Sequence, residues 1–99
     1  MSEKRLLVRK GARADIAEAF RWYEERGVGL GHECLRSVRA TMAVVERSPL
    51  IYPIVERDIR KASVGRFPYL VYFVVLSKSI SVIAVLHGRR DPKTWSERR

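Results

Sequence analysis

The chain has 99 residues, enough for one domain with one hydrophobic core and too few for two, so we expect residues 1–99 to form a single domain. Hydrophobic residues make up 46% of it, which argues against a disordered chain. Twenty Lys and Arg against eleven Asp and Glu give a formal net charge of +9, which favours nucleic acid, the ribosome or an acidic protein as partner.

The N-terminus and the apolar runs bear on where the protein works. The N-terminus is charged from Glu3 to Arg5 and lacks the apolar run of a signal peptide. The longest apolar run, Tyr69 to Leu76, is far shorter than a membrane span. The single cysteine, Cys34, excludes an internal disulfide. We therefore expect a cytoplasmic protein that does not associate with a membrane.

The first predicted element is a short strand over Lys4 to Lys10, which we expect at the edge of a sheet. From Ala12 the apolar spacing changes to three and four residues, which predicts an amphipathic helix that ends near Gly27. The charged residues of this helix, Asp15 among them, are assigned to its polar side. Trp22 lies partly outside the apolar stripe and is available to a partner or to the sheet margin.

A second helix is predicted after the Gly29–Gly31 segment. Apolar residues from Leu30 to Val45, including Cys34, recur at helical spacing until Ser48-Pro49 interrupts the pattern. Two helices joined by a tight glycine-containing turn favour an antiparallel hairpin. We expect its shared apolar stripe to form part of the core.

The second half of the chain predicts three strands. Ile54 to Gly65 indicates an interrupted strand, and Phe67 to Leu76 and Ser79 to Leu86 indicate two strong strands joined by a turn at Ser77-Lys78. The fold class is therefore α+β: an N-terminal strand, a helical hairpin and a three-stranded antiparallel meander in one twisted sheet.

The last two strands are almost continuously apolar, which indicates that both faces of the sheet are covered. The helical hairpin covers one face. The remaining segment, Asp91 to Arg99, offers one large apolar side chain, Trp95. We therefore expect a second polypeptide to complete the burial of the other face.

Basic residues gather near the ends of these strands. Arg66 precedes one strong strand, and His87, Arg89 and Arg90 follow the other, which suits a polyanion or an acidic protein. The two histidines, His32 and His87, lie on different elements and give no metal-ligand spacing. We expect neither a metal ion nor a cofactor.

Four motifs stand in order along the chain: Trp22-Tyr23, Tyr52-Pro53, Arg66-Phe67-Pro68-Tyr69 and Leu86-His87-Gly88-Arg89-Arg90-Asp91-Pro92. With the order strand, helix, helix, three strands, the chain resembles the RelE/ParE superfamily, the toxins of bacterial type II toxin–antitoxin modules. The resemblance covers about residues 5 to 95. The two C-terminal motifs together are typical of the ParE-like branch, often labelled plasmid stabilisation proteins.

The resemblance implies a growth-inhibiting toxin that a cognate acidic antitoxin neutralises. In this family a partly disordered antitoxin wraps the toxin, which would supply the missing cover over the sheet. Charge would speed the encounter and apolar burial would supply affinity. Contact with operator DNA would come mainly through the antitoxin.

The resemblance leaves the target open, and we favour DNA gyrase. ParE-like members inhibit gyrase by binding it and need no acid–base pair, so we lean away from an enzyme. The residues expected to contact the target or the antitoxin are Arg60, Lys61, Arg66, His87, Arg89, Arg90 and Trp95.

The first alternative is a ribosome-dependent, metal-independent mRNA endoribonuclease of RelE type. That reaction requires proton transfer and cations that stabilise the phosphorane charge. His87 would transfer protons, and Arg66 with Arg89 and Arg90 would stabilise charge.

The sequence departs from such nucleases at two positions. Ribosome-dependent members commonly carry an Arg in the third strand, where this chain has Tyr69, and a C-terminal Tyr, where it has Trp95. The second alternative is a non-toxic basic module that only binds nucleic acid or protein.

Overall fold

The computed structural model describes residues 4–99 and contains one five-stranded sheet with strand order β1-β5-β4-β3-β2. Its elements are β1 (Arg5–Val8), α1 (Lys10–Glu24), α2 (Leu30–Arg47), a 3₁₀ turn (Pro49–Ile51), β2 (Ile54–Glu56), β3 (Ile59–Ser63), β4 (Tyr69–Val75), β5 (Ser79–His87) and α3 (Pro92–Ser96). The predicted α+β class is confirmed, and so is the edge position of the first strand.

The predicted helical hairpin is present, and glycines shape its turn. Gly29 has φ of +86°, a left-handed conformation that glycine adopts without strain. The Glu24 carboxylate accepts hydrogen bonds from the backbone N–H groups of Gly29 and Gly31, each at 2.9 Å. A Cβ at Gly31 would lie 2.6 Å from the carbonyl oxygen of Phe20, so this glycine allows α1 and α2 to approach closely.

Two details of the hairpin differ from the sequence expectations. α1 ends at Glu24, three residues before Gly27, which lies in the turn. Asp15, assigned to the polar side of α1, is buried and only 8% exposed. Its carboxylate has partners inside the protein, which are described with the site below.

The meander contains one strand more than predicted. Ile54 to Gly65 forms two short strands, β2 and β3, because the chain reverses at Arg57, whose φ is +53°. β3 pairs antiparallel with β4, and β4 with β5, while β1 runs parallel to β5. The predicted turn at Ser77-Lys78 lies between β4 and β5 as expected.

The sheet has a core on each face. The hairpin face buries Val38 and Val45 of α2 against Val71, Phe73 and other sheet residues. The opposite face buries a second cluster of seven residues: Ile59, Tyr72, Val74, Ile83, Ala84, Leu86 and Trp95.

The second face is covered in part by the C-terminal segment of the chain itself, which corrects the expectation that this segment is too small and that a second polypeptide completes the burial. Asp91 caps the short helix α3 by accepting a hydrogen bond from the N–H of Lys93 at 2.9 Å. α3 places the Trp95 ring on Tyr72, with 4.5 Å between ring centroids and 11° between ring planes. Trp95 is consequently only 8% exposed.

Candidate functional site

A groove of about 470 Å³ lies between α1 and the paired ends of β4 and β5. We call it the α1–β5 groove. Its walls include Glu18, Trp22, Tyr23, Tyr69, His87 and Arg90. The groove exists because Tyr69, the first residue of β4, pairs with His87, the last residue of β5, beside the C-terminal half of α1.

Aromatic rings line the groove in a continuous series. Trp22 contacts Tyr23 at 4.8 Å between centroids, Tyr23 contacts Tyr69 at 6.1 Å, and Tyr69 contacts His87 at 5.7 Å. Trp22 is 47% exposed, and the Arg26 guanidinium lies 3.4 Å from the centre of its ring. Partly exposed aromatic rings of this kind are common anchors in protein interfaces.

Tyr69 keeps its phenolic proton near neutral pH. Burial raises the pKa of this phenol, and nearby Tyr23 and Glu18 raise it further, while Arg90 opposes them. The protonated hydroxyl can donate a hydrogen bond, and Tyr69 lines the same groove as Arg90.

His87 begins a tight turn that directs the basic residues out of the strand. Its Nδ1 accepts a hydrogen bond from the N–H of Arg89 at 3.1 Å, and its carbonyl accepts one from the N–H of Arg90 at 3.0 Å. Gly88 donates its N–H to the carbonyl of Pro68 at 2.9 Å. A neutral imidazole that accepts at Nδ1 carries its proton on Nε2. Arg89 and Arg90 are both exposed.

Arg66, expected beside His87, lies elsewhere. Its guanidinium pairs with Glu33 of α2 at 3.3 Å, and the two residues line a separate cavity with Arg36. The backbone of Arg66 has φ of +73°, in the turn before β4. The structure therefore does not bring Arg66 together with His87 and Arg90.

The other candidate residues divide between the two faces of the sheet. Arg60 donates to the carbonyl of Tyr52 at 2.6 Å. Lys61 and Trp95 line a groove of about 410 Å³ on the α3 face, together with Tyr72 and Arg90. Arg90 thus borders both this groove and the α1–β5 groove.

The buried Asp15 pairs with the partly buried Arg98, a contact that the sequence did not reveal. The Asp15 carboxylate accepts a hydrogen bond from the N–H of Val85 at 3.0 Å and one from Arg98 Nη2 at 3.2 Å. Arg98 Nη1 also donates to the carbonyl of Ile83 at 3.1 Å. An acidic residue on an amphipathic helix ordinarily faces solvent, so the sequence carries no signal for this contact.

The C-terminus is held at several further points. Arg9 donates to the carbonyl of Arg98 at 3.2 Å. The Arg99 guanidinium makes two hydrogen bonds to the Asp58 carboxylate, both 2.7 Å long. These bonds lower the pKa of Asp58 below its ordinary value.

Two negative findings apply to residues 4–99. No cluster of three or more His, Cys, Asp or Glu side chains there is placed to hold a metal ion. No helix in that part of the chain is long and apolar enough to cross a membrane.

Comparison with known proteins identifies the family. The model of a family described as the ParE toxin of the type II toxin–antitoxin system, parDE, matches residues 6–92. The chain belongs to the ParE toxin family. The resemblance to the RelE/ParE superfamily that the four motifs indicated is confirmed.

A solved structure shows the same fold for this ParE family member. The chromosomal ParDE toxin–antitoxin system from P. aeruginosa matches with a TM-score of 0.75 and 16% sequence identity, covering 85% of this chain and 95% of that one. Among curated proteins there is no significant match. The family match reaches from β1 to Pro92, so it includes His87 and Arg90 and ends before Trp95, Arg98 and Arg99.

Proposed function

We propose that this ParE family member is the growth-inhibiting toxin of a toxin–antitoxin pair, that it binds DNA gyrase, and that a cognate acidic antitoxin neutralises it. Family membership supports the toxin role. The formal charge of +9 and the exposed Arg89 and Arg90 support an acidic partner. Contact with operator DNA is then made through the antitoxin.

We favour binding over catalysis because Arg66 lies apart from His87. A nuclease must hold its proton-transfer group and its charge-stabilising cations around one phosphate. Arg66 is instead paired with Glu33 on α2, while His87 and Arg90 face the α1–β5 groove. Inhibition by protein binding needs no such grouping, and exposed aromatic and arginine side chains beside a groove are typical anchors of a protein interface.

The α1–β5 groove also contains the residues that support the nuclease alternative. A histidine, a protonated tyrosine and an arginine, His87, Tyr69 and Arg90, lie within one cavity and provide proton-transfer groups and one cation. The mRNA endoribonuclease is therefore the second candidate, and it makes a different prediction for the His87 variant.

The decisive experiment compares two activities of the purified protein. We expect it to block supercoiling by DNA gyrase and to leave mRNA intact on translating ribosomes. Arg90→Ala should weaken gyrase inhibition by roughly tenfold, as expected for an interface arginine. The matched control is Arg47→Ala, since Arg47 is also exposed but lies at the end of α2, and it should inhibit like the unchanged protein.

Three results would contradict the proposal. Cleavage of mRNA on ribosomes that disappears in His87→Ala would favour the endoribonuclease. Harmless expression of the intact chain in cells lacking an antitoxin would favour the non-toxic basic module. Equal losses from Arg90→Ala and Arg47→Ala would mean that inhibition depends on overall charge and not on this groove.

A further inference from the structure

Three exposed apolar side chains gather at the β2 edge of the sheet. Leu50 and Ile51 are each 68% exposed in the 3₁₀ turn after α2, and Ile54, the first residue of β2, is 53% exposed. β2 is the last strand in the sheet order, at the opposite edge from β1. We call Leu50, Ile51 and Ile54 the β2-edge patch. Single exposed apolar residues are ordinary, whereas a contiguous group indicates a surface that binds a partner.

The patch lies on the hairpin side of the sheet. Ile54 pairs with Arg60, which pairs with Phe73, and residues paired across strands point to the same face. Phe73 belongs to the core on the hairpin face. The Tyr52 ring contacts Phe73 at 5.9 Å between centroids, which holds the preceding 3₁₀ turn on this side of the sheet.

The backbone of Ile54 is open on the outer edge of β2. The Lys61 N–H donates to the Pro53 carbonyl at 3.2 Å, so these two residues occupy a hydrogen-bonded position of the β2–β3 pair. Such positions alternate with non-hydrogen-bonded ones, and the next position joins Ile54 to Arg60. The N–H and the carbonyl of Ile54 therefore both point away from β3. Within residues 4–99, no strand lies on that side of β2.

A second copy of the chain can use both groups at once. In an antiparallel pair, two opposed residues exchange both of their hydrogen bonds. A two-fold axis beside Ile54 would place this residue opposite itself, so each copy would supply what the other needs. The pairing ends there, because the Tyr52 N–H and carbonyl are already bonded to Pro49 and Arg60. The contact would be one reciprocal pair of bonds flanked by apolar side chains from both copies.

The charge around the patch favours a copy of the chain over an acidic partner. Residues 46–60 carry three basic and three acidic side chains, namely Arg47, Arg57, Arg60, Glu46, Glu56 and Asp58. Their net charge is zero, so the formal charge of +9 arises in the rest of the chain. An acidic protein or a nucleic acid is attracted to basic surfaces and not to this neutral one. Two positively charged copies meet the least repulsion at this neutral edge.

We propose that the β2-edge patch is a self-association surface, at which two copies of this chain form a two-fold dimer with their β2 strands antiparallel. This inference goes beyond the proposed function and does not depend on it. Burial of the apolar side chains supplies most of the affinity, and the reciprocal bonds of Ile54 fix the orientation. Because the patch is small, we expect a dissociation constant on the order of 10 μM. The α1–β5 groove has no wall from β2 and stays open in both copies.

Sedimentation equilibrium of the purified full-length protein tests the dimer. The mass should rise from the 11.5 kDa of one chain toward twice that value as the protein concentration increases. Added NaCl should maintain or strengthen the dimer, because salt screens the repulsion between two basic chains. A protein that remains monomeric at about 1 mM would overturn the proposal, since specific interfaces form well below that concentration. A dimer that dissociates on adding salt would overturn it as well, because ion pairs would then hold it together.

Variants locate the contact. Ile54→Lys places two like charges across the axis and should raise the dissociation constant at least about tenfold. The matched control is Val28→Lys, which adds the same charge at a fully exposed β-branched residue in the hairpin turn, at the other end of α2, and should leave the constant unchanged. Leu50→Lys repeats the test outside the strand, so a folding defect of Ile54→Lys does not remove it. Equal constants for Leu50→Lys and Val28→Lys would overturn the proposed surface.

Amide hydrogen exchange at single residues, below and above the dissociation constant, tests the strand pairing. The Ile54 amide should exchange at least about tenfold more slowly in the dimer, because it gains a hydrogen bond. The Lys61 amide should change little, because its bond to Pro53 is present in both states. An Ile54 amide that exchanges equally fast at both concentrations would overturn the proposed pairing. Protection of Ile54 only after DNA gyrase is added would assign this edge to the target and overturn self-association, while the toxin role would stand.

Discussion

Replacing Arg98 by methionine should destabilise the protein by about 2–3 kcal/mol, because it leaves the Asp15 carboxylate buried without its cation. Removing one partner of a fully buried pair costs about 3–5 kcal/mol. Two facts reduce this cost: the Arg98 side chain is 29% exposed, and Asp15 keeps its hydrogen bond from Val85. Methionine retains much of the length of the side chain, so packing changes little.

Urea denaturation measures the effect. With a slope of about 1.5 kcal/mol per molar urea, the expected loss lowers the unfolding midpoint by between about 1.3 and 2 M. The control is Arg99→Met, which breaks the exposed pair with Asp58 and should lower the midpoint much less, because water screens an exposed ion pair. If Arg98→Met lowers the midpoint no further than Arg99→Met, the Asp15 carboxylate does not need Arg98 to remain buried.

A double variant shows whether the lost stability comes from the unpaired charge of Asp15 or from lost packing of Arg98. Asp15→Asn keeps an oxygen to accept from Val85 but removes the negative charge. Combined with Arg98→Met, it should therefore recover at least about 1 kcal/mol of the loss. A double variant as unstable as Arg98→Met alone would mean that the cost comes from packing.

Three further predictions concern stability. Val71→Asp and Val82→Asp should each abolish the cooperative thermal transition followed by circular dichroism, because both positions are fully buried and the new charge has no partner. Gly31→Ala should lower the free energy of unfolding by about 1–3 kcal/mol, measured by urea denaturation, because its Cβ would lie 2.6 Å from a carbonyl oxygen of α1. The pKa of Asp58 is lower in the folded protein than in the unfolded chain, so its pairing with Arg99 stabilises the fold fully above pH of about 4, the ordinary pKa of aspartate. This stabilisation is lost as the pH falls through the lower pKa of the folded state. The difference in urea midpoint between the unchanged protein and Arg99→Met should shrink accordingly in acid.

Each of these predictions has an outcome that contradicts it. A cooperative melt in both aspartate variants would mean that the two strands do not form the core. A stabilised Gly31→Ala, as helix propensity alone would predict, would mean that α1 and α2 can separate without cost. A difference between the unchanged protein and Arg99→Met that stays constant down to strongly acidic pH would mean that Asp58 does not contribute through its charge.

The sequence predicts the parts of this fold that have strong periodicity. The two helices and the strands β4 and β5 are long, and their apolar spacing leaves little choice of element. The turn at Arg57 was missed because it has no glycine, and an arginine with positive φ is unusual. The pattern of apolar residues also does not predict that Asp15 is buried. Asp15 bonds to the N–H of Val85, which is available because β5 extends past the end of β1.

The sequence likewise predicts some residues of the candidate site and not others. His87 and Arg90 were found because apolar residues give way to basic ones where β5 ends. Arg66 was expected beside them, since β4 begins where β5 ends, but the turn before β4 directs its side chain to Glu33. Trp95 was expected to contact a partner, yet it packs on Tyr72, a contact across the sheet that local sequence does not encode.

The parallel pairing of β1 with β5 has a consequence for synthesis of the chain. β1 is among the first segments to leave the ribosome, but its only partner strand, β5, is among the last. α1 packs mainly on α2 and on β5, so it also depends on this late strand. Contacts between such distant segments slow folding, because a large loop must close before they form. A ribosome that stops before residue 79 therefore releases a fragment that lacks β5, the strand that joins β1 to the rest of the sheet, and we expect such fragments to be harmless to the cell that makes them.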